Sequence, residues 1–274
     1  MKVLIAGSNG YIGRHVKELF VESCFEVFTY SREQDGISQS GCFIGNTSYF
    51  EGYFDVVVNC ARPHWSEFSP EEIADLEGKL LKRLDRLAAP SATKIHTSGV
   101  WLFGHASNED LRHFRLKPFE VVKLDAVTIN RILGRGWQVV YCPSLVYGGE
   151  HCQLQRIIES RSDGALQVAV PAQGFNQYIH VNDIAKFYLL LAQEDYSNAQ
   201  HFIAEEKGYS PEEFAQLLLA SNVIQKVDKL DWAEFEAKNG SSVADIEKLN
   251  LHLPISPLFK TTEAIRDYIQ SYHV

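Results

Sequence analysis

The opening stretch MKVLIAGSNGYIGRHV constrains the fold more than any other part of the chain. Lys2–Ala6 reads as a short buried strand. Ile12, Val16, Leu19 and Phe20 then recur at i, i+4, i+7 and i+8, one face of a helix. Between strand and helix, Gly7, Gly10 and Gly13 are three residues apart. Glycines at such a junction permit a tight turn and let backbone N–H groups approach a diphosphate. The partial positive charge of a helix N-terminus lies behind them. Gly7, Asn9, Gly10, Tyr11, Ile12 and Gly13 are therefore the expected phosphate-binding loop of a dinucleotide site.

The alternation continues through the first half. Strands are expected at Glu26–Tyr30, Cys42–Ile44, Val56–Val58 running into Asn59–Ala61, Lys94–Thr97 and Trp137–Cys142. The unbroken apolar run at Val56 suits a strand covered on both faces of a parallel sheet. In SPEE, Ser69 can cap a helix, with Pro70 at its first position and Glu72 closing a capping box; that helix should reach about Leu87. A further helix is expected over Phe119–Leu133. Such βαβ alternation implies an α/β, Rossmann-type doubly wound parallel sheet with ligands at the carboxyl ends of its strands. Residues 1–149 are read as this domain.

Beyond Gly149 the pattern is mixed. A helix is expected over Gln153–Ser160, a strand over Leu166–Val170, and Tyr178–Val181 leading into another helix. A strand near His201–Ala204 precedes a second SPEE at Ser210–Glu213. Residues 150–274 are read mainly as a smaller substrate lobe, with some elements returning to complete the first domain.

The net charge of −9 opposes broad binding to a phosphate backbone, so nucleic acid is not an expected partner. Cys24, Cys42, Cys60, Cys142 and Cys152 form no CxxC pair, and the histidines show no metal-ligand spacing, so no metal is expected. No apolar run approaches the ~20 residues of a membrane span, and the first residues carry no signal-peptide pattern. A cytoplasmic protein acting on a small molecule, away from membranes, is the expectation.

The second strand ends Tyr30-Ser31-Arg32, followed by Glu33. An acidic side chain at the strand end would favour NAD by accepting from the ribose 2′-hydroxyl. The hydroxyl of Ser31 and the guanidinium of Arg32 suit the 2′-phosphate of NADP better, and Arg14 could add charge. NADP(H) is therefore favoured, with NAD(H) the alternative.

Several segments together resemble the extended short-chain dehydrogenase/reductase family, which includes nucleotide-sugar epimerases and dehydratases. They are GSNGYIG (Gly7–Gly13), Gly45-Asn46, VVVNCA (Val56–Ala61), HTSGVWLFG (His96–Gly104), Lys123, CPSLVYG (Cys142–Gly148) and YIHVNDIA (Tyr178–Ala185). They follow the family's order across about two-thirds of the chain. The resemblance implies that Asn46 meets adenine and that Cys60, Ala61 and Arg62 pass the cofactor. It places Thr97 near the nicotinamide ribose with Ser98, and Pro143 through Val146 beside the nicotinamide. It also makes homodimerisation through helices flanking the sheet an expected assembly, although no sequence seam marks one.

In that family a Tyr-x-x-x-Lys pair does the acid–base work. The lysine binds the nicotinamide ribose and lowers the tyrosine's pKa. Here Lys123 is present, but Phe119 occupies the tyrosine position. Counting back from Gly104, the upstream serine/threonine position is Gly99, flanked by Ser98, which leaves Lys123 and Ser98 as the surviving candidates for catalysis. The segment Gly174–Gln177 also lacks the arginine that often anchors a substrate diphosphate. His64, Trp101 and Tyr147 follow successive strands and are the candidate substrate contacts, with His64 or Tyr147 as replacement proton donors. Each such residue is more commonly a packing or loop residue. Two readings stay open: an NAD(P)-dependent reductase, epimerase or dehydratase with a modified proton relay, or a cofactor-binding sensor whose chemistry was lost with the phenol.

Overall fold

The computed structural model describes residues 1–64, 66–159, 164–194, 196 and 199–271. In chain order the first elements are β1 (Lys2–Ala6), α1 (Tyr11–Glu22), β2 (Glu26–Ser31), β3 (Gly36–Gln39), β4 (Cys42–Ile44), β5 (Phe54–Asn59), α2 (Pro70–Leu87) and β6 (Ala88–Gly99). Then follow α3 (Asn108–Arg112), α4 (Lys123–Leu133), β7 (Trp137–Cys142), β8 (Val146–Tyr147), α5 (Gln153–Glu159), β9 (Ala165–Val170), β10 (Asn176–Gln177), β11 (Ile179–His180) and α6 (Val181–Gln193). The last are β12 (Gln200–Phe202), β13 (Gly208–Tyr209), α7 (Pro211–Ala220), β14 (Lys226–Asp231), α8 (Trp232–Asn239), α9 (Ser241–Glu247) and α10 (Ile265–Ser271). The helix expected to reach Ser160 ends, within the described residues, at Glu159.

Eight strands form the main sheet in the order β12-β7-β6-β5-β1-β2-β3-β4. At its centre β1 runs parallel to both β2 and β5, with Leu4 opposite Phe28 and Val57. Val3, Leu4, Ile5, Ala6, Val57 and Val58 are wholly buried, as expected of strands covered on both faces. Each Val, Leu or Ile side chain among them contributes about 1.5–3 kcal/mol of burial free energy. Helix α1 lays Val16 and Phe20 onto this core, and α2 adds Ile73, Leu80, Leu81, Leu84 and Leu87. The capping box of α2 forms as read: the Glu72 N–H donates to Ser69 Oγ (3.3 Å) and the Ser69 N–H to Glu72 Oε2 (2.8 Å). The second SPEE caps α7 in the same way.

Three details depart from the sequence reading. The sheet is mixed, because β3 returns antiparallel to β2 and β4 antiparallel to β3. The segment GISQ holds one large apolar residue, too little to read as a strand. β6 starts at Ala88 and not near Lys94; its ladder with β5 shifts between Phe54 and Val56, where Pro90 has no N–H to offer. The helix expected over Phe119–Leu133 begins at Lys123, after a 3-10 turn at Glu120–Val122. The Phe119 N–H donates to the Trp101 carbonyl (3.1 Å) instead of entering a helix.

The chain separates into two interleaved units. Met1–Gly99, Glu120–Tyr141 and Ile184–His201 make the first; Val100–Phe119, Cys142–Asp183 and Phe202–Val274 make the second. Phe119 falls in the second unit and Lys123 in the first. Within the second unit, β9 and β14 pair in parallel, with α7, α8 and α9 against them. Among the described residues no helix is long and apolar enough to cross a membrane.

Candidate dinucleotide cleft

The carboxyl ends of β1, β2 and β5 border a cleft of about 580 Å³ in the first unit. Its lining brings together Gly7, Asn9 and Gly10 from the glycine turn, Ser31 and Arg32 from the end of β2, and Cys60, Ala61 and Arg62 after β5. These residues come from three separate sequence segments.

Close backbone approach explains the glycines. Gly7 has φ +79°, and a Cβ there would stand 2.6 Å from the Ala61 nitrogen. A Cβ on Gly13 would stand 2.1 Å from the Gly7 carbonyl oxygen. Either contact is far inside van der Waals range, so Gly7 lets the β1–α1 turn pack against the Cys60–Ala61 loop and Gly13 lets α1 close onto the turn itself. Gly10 is the N-cap of α1 and supplies no capping side chain, and the first turn of α1 carries no acidic residue. The helix start thus presents backbone N–H groups without a competing carboxylate, the condition for holding a diphosphate. Tyr11 and Ile12, half-buried, begin α1 itself; the Arg14 guanidinium lies 5.7 Å from the Tyr11 ring centroid.

At the other end of the cleft, Arg32–Asp35 form the turn between β2 and β3. The Tyr30 hydroxyl donates to Asp35 Oδ1 at 2.6 Å, and Arg83 of α2 grips the same carboxylate through Nε (3.1 Å) and Nη2 (2.5 Å). Arg83, then Tyr30, hold the Asp35 carboxyl below its ordinary range, while burial and Asp35 push the Tyr30 phenol up to about 12. The Asp35 charge is therefore balanced by Arg83 of α2. Ser31, Arg32 and Glu33 remain at the cleft wall, one hydroxyl, one cation and one anion.

Arg62, at the cleft wall, is held by Asp125 of α4, at 2.5 Å through Nη2. Beneath the same loop, the Asn59 amide takes the Ala61 N–H on Oδ1 (3.0 Å) and faces His96 Nδ1 with Nδ2 (3.1 Å). The Thr97 hydroxyl accepts from Tyr188 (2.7 Å) and donates to Cys60 Sγ (3.3 Å), so Thr97 is spoken for by protein groups. Burial pushes the Cys60 thiol up to about 12, which keeps it protonated.

Other residues singled out from the sequence lie elsewhere. Asn46 is exposed and caps the 3-10 turn Thr47–Phe50, accepting from the Ser48 N–H (3.1 Å) and hydroxyl (2.6 Å). Ser98 is half-buried at the end of β6, next to Gly99, where an added Cβ would meet nothing within 4 Å. Lys123 is 65% exposed, with Nζ 3.4 Å from Glu120 Oε2. His64 is exposed, its Nδ1 2.5 Å from Ser66 Oγ.

In the second unit, Trp101 donates from Nε1 to Ser144 Oγ (2.9 Å). Pro143 and Val146 are buried, the Val146 N–H donating to Gln153 Oε1 (2.8 Å). Tyr147 is wholly buried, and its hydroxyl donates to Glu205 Oε1 at 2.7 Å. The phenol is thus packed in the core of the second unit with a carboxylate partner. Phe119 is also buried, its ring edge-on to His105 and pressed over Gly104, where a Cβ would stand 2.5 Å from the ring.

Two groups near the cleft escaped the sequence reading. Glu77 occupies the apolar stripe of α2 between Ile73 and Leu80, and Asp125 follows Lys123 by two positions. A carboxylate on the stripe that Leu80, Leu81 and Leu84 define was the available sign for Glu77.

No protein-family model and no curated protein sequence matches the chain. Solved structures do. The human epimerase family protein SDR39U1 with NADPH superimposes with a TM-score of 0.74, at 16% identity over 98% of each chain. UDP-glucose 4-epimerase from Thermotoga maritima, with UDP-glucose, gives 0.71 at 15% identity, covering 98% of this chain and 96% of that one. RMD from Pseudomonas aeruginosa, complexed with NADPH, gives 0.66 at 13% identity over 98% and 97%. At these identities the likeness is one of fold: the chain has the α/β architecture on which these proteins are built, along its whole length.

Proposed function

We propose that the chain is an atypical member of the extended short-chain dehydrogenase/reductase family and binds NADP(H) in the first unit's cleft. The observation that carries the reading is the contact of Gly7 with the Ala61 backbone, beside a helix start that no side chain caps. Gly7, Asn9, Gly10 and the α1 N-terminus would hold the diphosphate. Ser31 and Arg32 would meet the 2′-phosphate, while Glu33, the one acid beside them, is the group that would suit a bare ribose instead. Structures of the same fold contain NADPH, which supports the reading. Nicotinamide, when bound, supplies a hydride donor or acceptor.

For the chemistry, the positions that carry proton transfer in the family favour a cofactor-binding sensor or regulatory protein. Phe119 has no proton to give and is packed over Gly104, the Tyr147 phenol is committed to Glu205, and Lys123 extends towards Glu120. The second reading, a reductase, epimerase or dehydratase acting on a sugar-derived or other carbonyl or alcohol substrate, is favoured by the open space at Gly99 beside Ser98. Titration calorimetry with NADPH and NADH tests the cofactor: tighter NADPH is expected, and equal or reversed affinities would reject the NADP preference. NADPH oxidation with aldehydes, ketones and nucleotide-linked keto sugars tests the chemistry. The sensor reading expects no turnover in the parent and its appearance only after Phe119→Tyr is combined with Gly99→Ser.

A further inference from the structure

Behind the cleft wall lies a group of buried ionisable side chains that neither the phosphate loop nor the family's acid–base positions use. Glu77 on α2 is 5% exposed, and its carboxylate is 3.8 Å from His96 Nε2 on β6. His96 is in turn bonded through Nδ1 to Asn59, which takes the Ala61 N–H of the cleft-lining loop. Leu80, one helical turn after Glu77 on the same face, itself lines the cleft. Arg62 lines it too, and its guanidinium is fixed by Asp125, whose side chain is 14% exposed. From the carboxyl of Glu77 to the cleft the path is therefore a close approach to His96 followed by two hydrogen bonds, and from Asp125 it is one ion pair.

We propose that Glu77 and Asp125 are positioning residues of the cofactor cleft, acting through Arg62 and through the His96–Asn59–Ala61 chain, and that dinucleotide binding there is linked to uptake of a proton by this cluster. The inference rests on the cofactor reading above. Asp125 engages Arg62 through Nη2, leaving the other guanidinium donors for the cleft. When the diphosphate of a dinucleotide approaches, its negative charge adds to those of Asp125 and Glu77 in a poorly solvated region. A proton from solvent then moves onto the cluster, because like charges disfavour ionisation.

Glu77 is the member suited to take it. Burial, reinforced by Asp125 and opposed by Arg62, lifts its carboxyl to about 7. Burial, with Arg62 adding to it, holds His96 down to about 3, so the imidazole is neutral at physiological pH and passes no charge. Asp125 is raised by burial and lowered again by Arg62. Of the other ions on elements packed against α2, Arg131 of α4 lies beside Gly78, and Lys94 of β6 is held by Asp85 (3.1 Å) and the Arg135 carbonyl (2.6 Å).

The experiment is calorimetric titration of the full chain with NADH, which has no group titrating near neutrality, and with NADPH, at pH 6, 7 and 8. Each titration is run in two buffers of different ionisation enthalpy. For the unmodified protein, net proton uptake is expected at pH 7, with NADH affinity falling about fivefold from pH 6 to pH 8. Glu77→Gln, which mimics the protonated acid, should hold the affinity near its pH 6 value throughout and abolish the uptake. Asp125→Asn should weaken both nucleotides while Glu77 still titrates, a change that a purely structural loss would not confine to binding. Binding with no proton uptake, or with the same pH slope in Glu77→Gln, overturns this proposal and leaves the cofactor reading standing. If neither nucleotide binds at any pH, both fall. Because the uptake measurement uses the unmodified chain, it decides the question even where a variant does not fold.

Discussion

The glycine turn of the first unit and the Val100–Phe119 segment of the second both carry family-like sequence, yet they have been treated oppositely. In the turn Gly7 and Gly13 have no room for a side chain, to the point that one added methyl on Gly13 would stand 2.1 Å from the Gly7 carbonyl oxygen. In the other segment the backbone is equally well held, but the side chain at the position of interest carries no titratable group. The Phe119 N–H still bonds Trp101 (3.1 Å) and the Lys117 N–H still bonds Leu102 (2.9 Å), but the ring at 119 carries no hydroxyl and is packed over Gly104. A binding loop depends on backbone shape, which many neighbours enforce together. Proton transfer depends on a single oxygen, which one substitution removes without disturbing the packing.

The sharpest way to break this contrast is Gly13→Ala. The overpacked turn should lose about 3 kcal/mol of stability, seen as a lower denaturant midpoint. NADPH should no longer raise that midpoint; an alanine variant that binds NADPH like the parent would show that the turn is not the phosphate loop. Next in size, Arg32→Ala should weaken NADPH about tenfold, as expected for loss of a charge-assisted contact, and leave NADH nearly unchanged. Parallel loss of both would mean that Arg32 shapes the β2–β3 turn instead of reading the 2′-phosphate.

A smaller effect is expected in the second unit. Tyr147→Phe removes one of the hydrogen bonds that stabilise buried Glu205, which also accepts from the Ile265 N–H at 3.1 Å. The cost should be about 1–2 kcal/mol in stability, with no change in NADPH affinity. A large change in affinity would return Tyr147 to the binding site.

A further effect is a slope with pH. Burial, partly offset by hydrogen bonds from Tyr147 and Ile265, lifts the Glu205 carboxyl to about 7, and Glu77 is lifted likewise. Both acids bind their proton more tightly folded than unfolded. The stability they contribute is present below the ordinary carboxylate pKa and is lost as pH rises towards 7. The denaturant midpoint should therefore decline between about pH 5 and pH 8, and Glu77→Gln should flatten part of that decline. A midpoint that rises over the same interval would contradict the burial of these acids.

Much of this was legible in the sequence, and the gaps have physical reasons. β1, α1 and the box at Ser69–Glu72 depend on local patterns, and all three form where the patterns put them. The β3 strand was not legible, since GISQ is held by pairing Thr29 with Ser38 across the sheet and not by its own composition. The helix that periodicity suggested from Phe119 starts only at Lys123, because the Phe119 N–H is spent on the Trp101 carbonyl, a long-range partner that periodicity does not register. Cys60, Ala61 and Arg62 line the same cleft as the glycine turn, whereas Asn46 turns its amide to its own chain, a choice between two hydrogen-bond partners that no sequence spacing encodes. Glu77 was hidden for a different reason: a buried acid inside an apolar helix face becomes intelligible only once His96 and Arg62 are seen around it.

The whole account turns on whether the first unit grips a nicotinamide dinucleotide. Calorimetric titration of the purified, folded chain with NADPH measures this directly. Saturable heat at one site per chain, accompanied by a raised unfolding temperature and weakened by Gly13→Ala, is the predicted result. No heat and no thermal protection from NADPH, NADP, NADH or NAD would contradict it.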